Sequence, residues 1–248
     1  MPTDEPSPCS KASPSPTGVL ETSIHKASHL ITLHKLKTSL HEAKAEPPAD
    51  DYSLQHTWAL WYDSGTAHSG KKSVESWNQR LGKVSAFHSV AGFWRLFNHI
   101  RGPTSQKEST DIHIFKEGLQ PAWESCLSGG TWLLTTKRGP DSNKHITAKL
   151  DKMWDYLAMH CIGDQFEADD ESADICGISS VLRKREHRLC LWTKSGSDRL
   201  LQMRIGRQLS SLLHKVAVDG VKVRELPHLE YRLHVVAMAG AKNSQYTA

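Results

Sequence analysis

The chain has 248 residues, and 31 lysines and arginines against 27 aspartates and glutamates give it a net charge of only +4. This mild basic bias permits an anionic partner without requiring one, and no apolar run is long enough to cross a membrane. Five cysteines, with no C-x-x-C pair and no apolar leader, favour free thiols in a reducing compartment. We therefore expect a soluble cytoplasmic protein, with the nucleus as a second compartment, that has neither a metal nor a cofactor.

The composition divides the chain into a tail, a packed domain and a second tail. Residues 1–50 are rich in proline and serine and predict a largely disordered N-terminal tail. Residues 23–45 of this tail carry an amphipathic helix pattern, which fits either a nascent helix or a docked regulatory helix. The packed domain is predicted at 51–238, and 239–248 is expected to be a flexible C-terminal tail.

Short strand patterns alternate with three helix patterns along the packed domain. The strands are predicted at 56–62, near 84–87, and at 112–115, 130–135, 175–182, 189–193 and 231–237. The helices are predicted at 91–101, 146–162 and 198–216, with Ser89 capping the first and Asp198 at the positive end of the third. These elements predict an α+β fold, in which a curved antiparallel sheet has three helices on one face and leaves the other face free to bind.

Two of the eight tryptophans lie in polar surroundings that a core residue would not favour. Trp77 follows a serine-rich run, and Trp123 lies in a loop directly before Glu124. Each indole could simply pack against the domain edge. If the two indoles instead face each other, they could stack on both sides of a flat base, and a carboxylate could accept both donors of a guanine edge.

A basic run, Arg183–Lys184–Arg185–Glu186–His187–Arg188, lies between two predicted strands. Such a run is usually a solvated turn, but Arg183 and Arg185 would share one face of an extended strand, and Arg188 would return on its partner. Guanidinium groups at these positions could bind phosphate oxygens in pairs. The acidic run at residues 167–174 lacks the carboxylate spacing of a metal site and is predicted to be a solvated loop.

Trp94 lies beside the apolar stripe of the first predicted helix rather than within it. Its indole could pack at the helix edge or anchor a protein partner.

Residues 52–237 resemble the cap-binding translation initiation factor 4E family in six stretches that occur in the same order. They are LQHTWALW from Leu54, FWRLFNHI from Phe93, FKEG from Phe115, PAWE from Pro121, GGTW from Gly129, and CG from Cys176 through Arg183 to LWT at Leu191. Members of that family bind the 7-methylguanosine cap of mRNA between two tryptophans. The resemblance implies an antiparallel sheet with the cap slot on its concave side.

The resemblance also implies roles for particular residues. Trp77 and Trp123 would stack on the methylated base, and Glu124 would read the guanine edge. Arg183, Arg185 and Arg188 would hold the triphosphate. Methylation at N7 makes the base cationic, which an aromatic slot favours.

On the convex face the family receives a helix from a scaffold or repressor protein. The corresponding residues here are Tyr52, Leu54, Val90, Trp94, Asp155 and Tyr156. Asp155 and Tyr156 replace a leucine and a glutamate of the family pattern, so we expect weaker binding of an ordinary scaffold motif.

The expected function is therefore cap binding in translation initiation, by a monomer without catalytic activity that recruits mRNA through a scaffold partner. A cap-sequestering repressor would use the same slot, and the sequence does not separate these two roles. A cap-hydrolysing or cap-modifying enzyme is the alternative from a different class. The sequence offers neither the acidic metal helix nor the cofactor loop that such an enzyme would need.

Overall fold

A computed structural model describes residues 51–64, 80–139, 144–218, 228–241 and 243–248 of the chain. The predicted N-terminal tail and Trp77 lie outside the described residues. The strands are β1 (Ser53–Asp63), β2 (Leu81–Ser89), β3 (Asp111–Lys116), β4 (Gly130–Lys137), β5 (Ile175–Leu182), β6 (Glu186–Thr193), β7 (Glu230–Leu233) and β8 (Tyr246–Thr247). The α-helices are α1 (Val90–Phe97), α2 (Lys144–Ile162), α3 (Asp169–Asp174), α4 (Arg199–Val218) and α5 (His234–Met238), and short 3-10 helices span Pro103–Ser105 and Trp123–Cys126.

The eight strands form one antiparallel sheet in the order β2-β1-β3-β5-β6-β4-β7-β8. Successive side chains of a strand alternate between the two faces of the sheet, so each strand supplies residues to both. The sheet is curved. We call the face that carries the long helices convex and the opposite face concave.

Close packing of helices α1 and α4 against the sheet defines the convex face. Trp132 of β4 is fully buried, and its Nε1 donates to Oε1 of Gln202 on α4 over 3.3 Å. Gly206 lies one turn further along α4, where a Cβ atom would come within 2.5 Å of the Trp132 ring. The ring of Phe93 on α1 packs on that of Phe87, with the centroids 5.6 Å apart. The predicted α+β architecture is confirmed.

Both predicted helix starts have their capping bonds. The Ser89 hydroxyl accepts from the Gly92 amide over 3.1 Å at the start of α1. The Asp198 carboxylate accepts from the Leu201 amide over 3.0 Å at the start of α4. These side chains satisfy donors that the first turn of a helix leaves unpaired.

The structure corrects the prediction for the last strand. The strand predicted at 231–237 ends at Leu233. The His234 amide still donates to the Gly129 carbonyl over 3.1 Å, in register with the pairing of β4 and β7, and the chain then turns into α5. Within the segment expected to be a flexible tail, Tyr246–Thr247 forms β8 on β7, and the Ala248 amide donates to the Leu229 carbonyl over 3.1 Å.

The acidic run is also not a solvated loop. It forms the short helix α3, in which Glu171 is buried. The Glu171 carboxylate accepts from Nε of Arg204 over 2.8 Å and from Nε2 of Gln208 over 2.6 Å. These bonds tie α3 to α4 and satisfy a buried charge.

Candidate functional site

Trp123 and Glu124 open a 3-10 helix between β3 and β4, where the sequence predicted an irregular loop. The Trp123 side chain is 41% exposed, and Glu124 is exposed beside it. Cys126 closes the same turn and is buried. The turn is therefore anchored at its end and presents its indole and its carboxylate to solvent.

His234 on α5 holds this turn in place, and its role could not be recognised from the sequence. Its Nδ1 lies 2.6 Å from the Cys126 carbonyl oxygen, and its Nε2 lies 2.8 Å from the Thr131 hydroxyl. A carbonyl can only accept, so Nδ1 carries the proton and Nε2 accepts from Thr131. Burial lowers the pKa of His234, so the ring stays neutral in this arrangement.

An apolar cluster on the concave face lies directly beneath the turn. Its buried members are Phe115, Cys126, Leu133, Cys176, Cys190 and Trp192. The ring of Trp192 lies 5.4 Å from that of Phe115 and 4.8 Å from that of His234, measured between centroids. The Trp192 Nε1 atom is buried and has no hydrogen-bond partner among the described residues. The cluster thus packs the buried end of the turn, Cys126, together with two aromatic rings.

A β-bulge brings Cys176 into this cluster. Ile175 pairs with Thr193 and Gly177 with Trp192, so Cys176 is one extra residue on β5. Its Sγ lies 2.9 Å from the Sγ of Cys126. The contact with Cys126 and burial together raise the pKa of the Cys176 thiol.

The basic run differs from the predicted strand geometry. β5 ends at Leu182 and β6 begins at Glu186, so Arg183 and Arg185 lie in the turn and do not share a strand face. The Arg183 amide donates to the Glu186 carbonyl over 2.9 Å and closes the turn. Arg185 is exposed in this turn, while Arg188 lies on β6 and forms an ion pair with Glu186.

Asp111, at the start of β3, holds the guanidinium of Arg183. Both terminal nitrogens of Arg183 donate to the carboxylate, with Nη2 lying 2.8 Å from Oδ2. Burial raises the pKa of Asp111, and the paired hydrogen bonds from Arg183 oppose that rise. A carboxylate at the start of a predicted buried strand was the only sequence signal for this partner.

Arg138, like His234, could not be recognised from the sequence. It follows β4, and its amide donates to the Arg185 carbonyl over 2.8 Å. Its Nη1 donates to the Arg183 carbonyl over 2.8 Å. Arg138 therefore fixes the backbone of the turn that carries the predicted phosphate-binding arginines.

The predicted residues form two groups on the concave face. Trp123 and Glu124 lie on the turn whose Cys126 packs in the cluster that contains Trp192. Arg183, Arg185 and Arg188 lie towards the opposite end of the strands. Trp192 and Arg188 face the same side of β6, four residues apart. A strand rises about 3.3 Å per residue, so the two groups are separated by about 13 Å along the sheet.

The predicted partner-binding residues lie on the convex side. Four of these residues, Tyr52, Leu54, Val90 and Trp94, lie around α1. The Val90 amide donates to the Tyr52 carbonyl over 2.9 Å, and Leu54 lies near the start of β1. The Trp94 side chain is 39% exposed. Asp155 and the exposed Tyr156 lie on the separate helix α2, and burial and the charge of Asp151 raise the pKa of Asp155.

Among the described residues, no three histidine, cysteine, aspartate or glutamate side chains are grouped so that they could hold a metal ion. No helix in the described part of the chain has the length and apolar character needed to cross a membrane.

The family model described as Eukaryotic initiation factor 4E matches residues 53–248. Among curated relatives, isoform 4E of Prunus domestica is 32% identical over 72% of this chain and 78% of its own, and isoform 4E of Nicotiana tabacum is 34% identical over 69% and 84%. The match to Prunus domestica initiation factor 4E-1 spans 66% of each chain.

Solved structures of the same family have the same fold. C. elegans eIF4E-3, in complex with the 4E-binding protein Mextli, aligns with a TM-score of 0.65 and 30% identity over 80% of this chain and 99% of its own. Ascaris suum eIF4E-3 with an m7G cap aligns with a TM-score of 0.63 and 29% identity over 79% and 97%. The chain belongs to the eukaryotic initiation factor 4E family.

Proposed function

We propose that this chain binds the 7-methylguanosine 5′ cap of mRNA in translation initiation and receives a scaffold or repressor helix on its convex face. The observation that carries the proposal is the exposed Trp123–Glu124 pair on a turn anchored in the cluster that contains Trp192. Arg188 lies on the same face of β6, four residues or about 13 Å along the strand from Trp192. A nucleoside triphosphate is extended enough to place its base at the first group and its phosphates at the second. The cap-bound relative from Ascaris suum supports this assignment.

Each part of the ligand has a chemical counterpart in the site. The Trp123 indole would stack on the cationic base, and the Glu124 carboxylate would accept the two donors of the guanine edge. The planar guanidinium groups would pair with phosphate oxygens, and Asp111 holds Arg183 in position for this contact. Trp77 would form the second wall of the slot.

The test is a fluorescence titration of the wild-type protein with 7-methyl-GTP and with GTP. Because the cation–π term contributes up to roughly 2 kcal/mol, we expect 7-methyl-GTP to bind about 10- to 30-fold more tightly. Trp123→Ala should remove most of this preference. Equal affinities for the two nucleotides would overturn the proposed mode of recognition.

The same site would serve a cap-sequestering repressor, and the convex surface determines which role applies. A partner that assembles with other initiation factors would indicate the activating role. Turnover of the bound cap analogue, followed by chromatography of the nucleotide, would instead indicate an enzyme and contradict the proposal. We further propose that the protein acts as a monomer in the cytoplasm and also enters the nucleus.

A further inference from the structure

Cations continue beyond the predicted triphosphate positions, across the end of the neighbouring strand. Lys137 ends β4 and pairs across the sheet with Glu186, two residues from the pair that Thr135 forms with Arg188. Side chains two residues apart on a strand lie on the same face, so Lys137 and Arg188 both belong to the concave face. Lys137 is exposed.

Arg138 makes this basic surface continuous. Its two hydrogen bonds to the carbonyls of Arg183 and Arg185 attach the end of β4 to the turn between β5 and β6. We call the resulting surface the basic strip. It consists of Lys137, Arg138, Arg183, Lys184, Arg185 and Arg188.

The basic strip has more positive charge than its own carboxylates neutralise. Asp111 pairs with Arg183, and Glu186 pairs with Arg188. Within the described residues, no ion pair joins a carboxylate to the other four cations, which are Lys137, Arg138, Lys184 and Arg185. Such an excess attracts a polyanion, and binding is favoured by the release of counterions.

We propose that Lys137 and Arg138 extend the cap-phosphate positions into a track for the RNA nucleotides that follow the cap. This inference rests on the proposed function and deepens it. The occupant is an RNA strand because the basic strip is continuous with the positions predicted to hold the cap triphosphate. In capped RNA, that triphosphate is covalently joined to the nucleotides that carry the next phosphates. Contacts to phosphates carry no sequence preference, so the track accepts any unstructured RNA.

The experiment compares three ligands: 7-methyl-GTP, a short unstructured capped RNA and the same RNA without its cap. Lys137→Ala is the principal variant, because the Lys137 side chain makes none of the hydrogen bonds that shape the turn. Lys215→Ala is the matched control, since Lys215 is an exposed cation near the end of α4 on the convex side. Arg138→Lys keeps the charge of Arg138 and loses its planar donor group.

We expect Lys137→Ala to weaken capped RNA about 3- to 10-fold at low salt and to reduce the slope of log affinity against log salt by about 0.7. The affinity of Lys137→Ala for 7-methyl-GTP should change less than twofold. Lys215→Ala should change neither the affinity for capped RNA nor that for 7-methyl-GTP. Unchanged binding of capped RNA would overturn the track, as would an equal loss for 7-methyl-GTP, which would place Lys137 at the cap triphosphate. Failure of the wild-type protein to bind 7-methyl-GTP would overturn the proposed function itself.

Discussion

His234 donates from Nδ1 to the carbonyl oxygen of Cys126 over 2.6 Å, and this bond ties α5 to the turn that presents Trp123. The Thr131 hydroxyl binds the other ring nitrogen, so a single neutral imidazole holds both ends of the connection between the turn and β4. The geometry of Trp123 therefore depends on a residue more than a hundred positions away.

We expect His234→Ala to destabilise the protein and to weaken cap-analogue binding. The substitution leaves the Thr131 hydroxyl without its His234 partner and the Cys126 carbonyl with only the Gly129 amide as donor. A buried polar group without its partner costs about 1–3 kcal/mol in the free energy of unfolding. Urea unfolding and a 7-methyl-GTP titration measure the two effects. His214→Ala, at an exposed position on α4, is the control and should change neither. Unchanged cap affinity in His234→Ala would show that the turn keeps its shape without this bond.

Stability should fall as the pH is lowered below about 6.5, and His113 should contribute to the fall. Burial lowers the pKa of His113 to about 3, and its Nδ1 lies 2.7 Å from the Ser179 hydroxyl. The folded state disfavours the proton that the unfolded state accepts, so stability from this group is present above pH 6.5 and is lost progressively towards pH 3.

The corresponding measurement is the free energy of unfolding in urea between pH 7.5 and pH 5, for the wild type and His113→Gln. The variant has no titrating group at this position, so its stability should depend less steeply on pH, by up to about 1.4 kcal/mol per pH unit. Parallel curves for the two proteins would mean that His113 does not titrate differently in the folded and unfolded states.

Mild oxidation should link Cys126 and Cys176, whose Sγ atoms lie 2.9 Å apart. Diamide would take one hydrogen from each thiol and become the hydrazine, while the two sulfur atoms join. The bond would close a connection across 50 residues and increase stability by about 4 kcal/mol if unfolded-chain entropy dominates. Peptide mapping identifies the bond, and thermal unfolding with and without reductant measures its effect. Cys126→Ser should abolish the difference between the two conditions.

Trp94→Ala and Trp123→Ala should separate partner binding from cap binding. The two indoles are 39% and 41% exposed and lie on opposite sides of the sheet, so each variant is a matched control for the other. Trp94→Ala should abolish capture of a protein partner from the source cell, since an aromatic anchor supplies much of the binding free energy of an interface. Its cap affinity should stay within about twofold of the wild-type value. If Trp94→Ala captures the same partners as the wild type, the Trp94 indole packs at the helix edge and does not anchor a partner.

Glu124→Gln should weaken 7-methyl-GTP binding much more than Glu167→Gln, a matched change at another exposed glutamate. An amide offers one acceptor and places a donor against the guanine edge, so it fails to accept both guanine donors. Losing a hydrogen bond to a charged group costs about 1.5–3 kcal/mol, which calorimetry resolves readily. Similar affinities for the two variants would remove Glu124 from the guanine-reading role.

Apart from β8, the strands and the long helices could be predicted from local patterns because they bury apolar side chains at regular spacing. The short helices α3 and α5 could not. Val235 and Val236 have strand propensity, yet the chain enters α5 at His234, whose ring binds the Cys126 carbonyl and the Thr131 hydroxyl. Helix α3 has no apolar stripe and depends on bonds that Glu171 makes to α4.

The same distinction applies to the candidate site. Trp123, Glu124 and the basic run stand out because their residue types are unusual where they occur. The residue types of Asp111, Arg138 and His234 are not unusual at their positions. Their contacts join segments that are distant in the sequence. A single sequence contains no signal for such pairings. The carboxylate of Asp111 at the start of an apolar strand could have indicated that this residue needs a partner, but not which one.

The extra residue in β5 determines where a strand of this sheet can lose one residue without a change of register. Ile175 and Gly177 already pair with consecutive residues of β6, so removal of Cys176 would leave a regular ladder and every other side chain on its present face. The thiol that contacts Cys126 can therefore be gained or lost in a single step without a register shift. Gly177 has no such freedom, since a Cβ there would lie 2.5 Å from the Phe115 ring. Among natural variants, length should change at position 176 while the glycine that follows is kept.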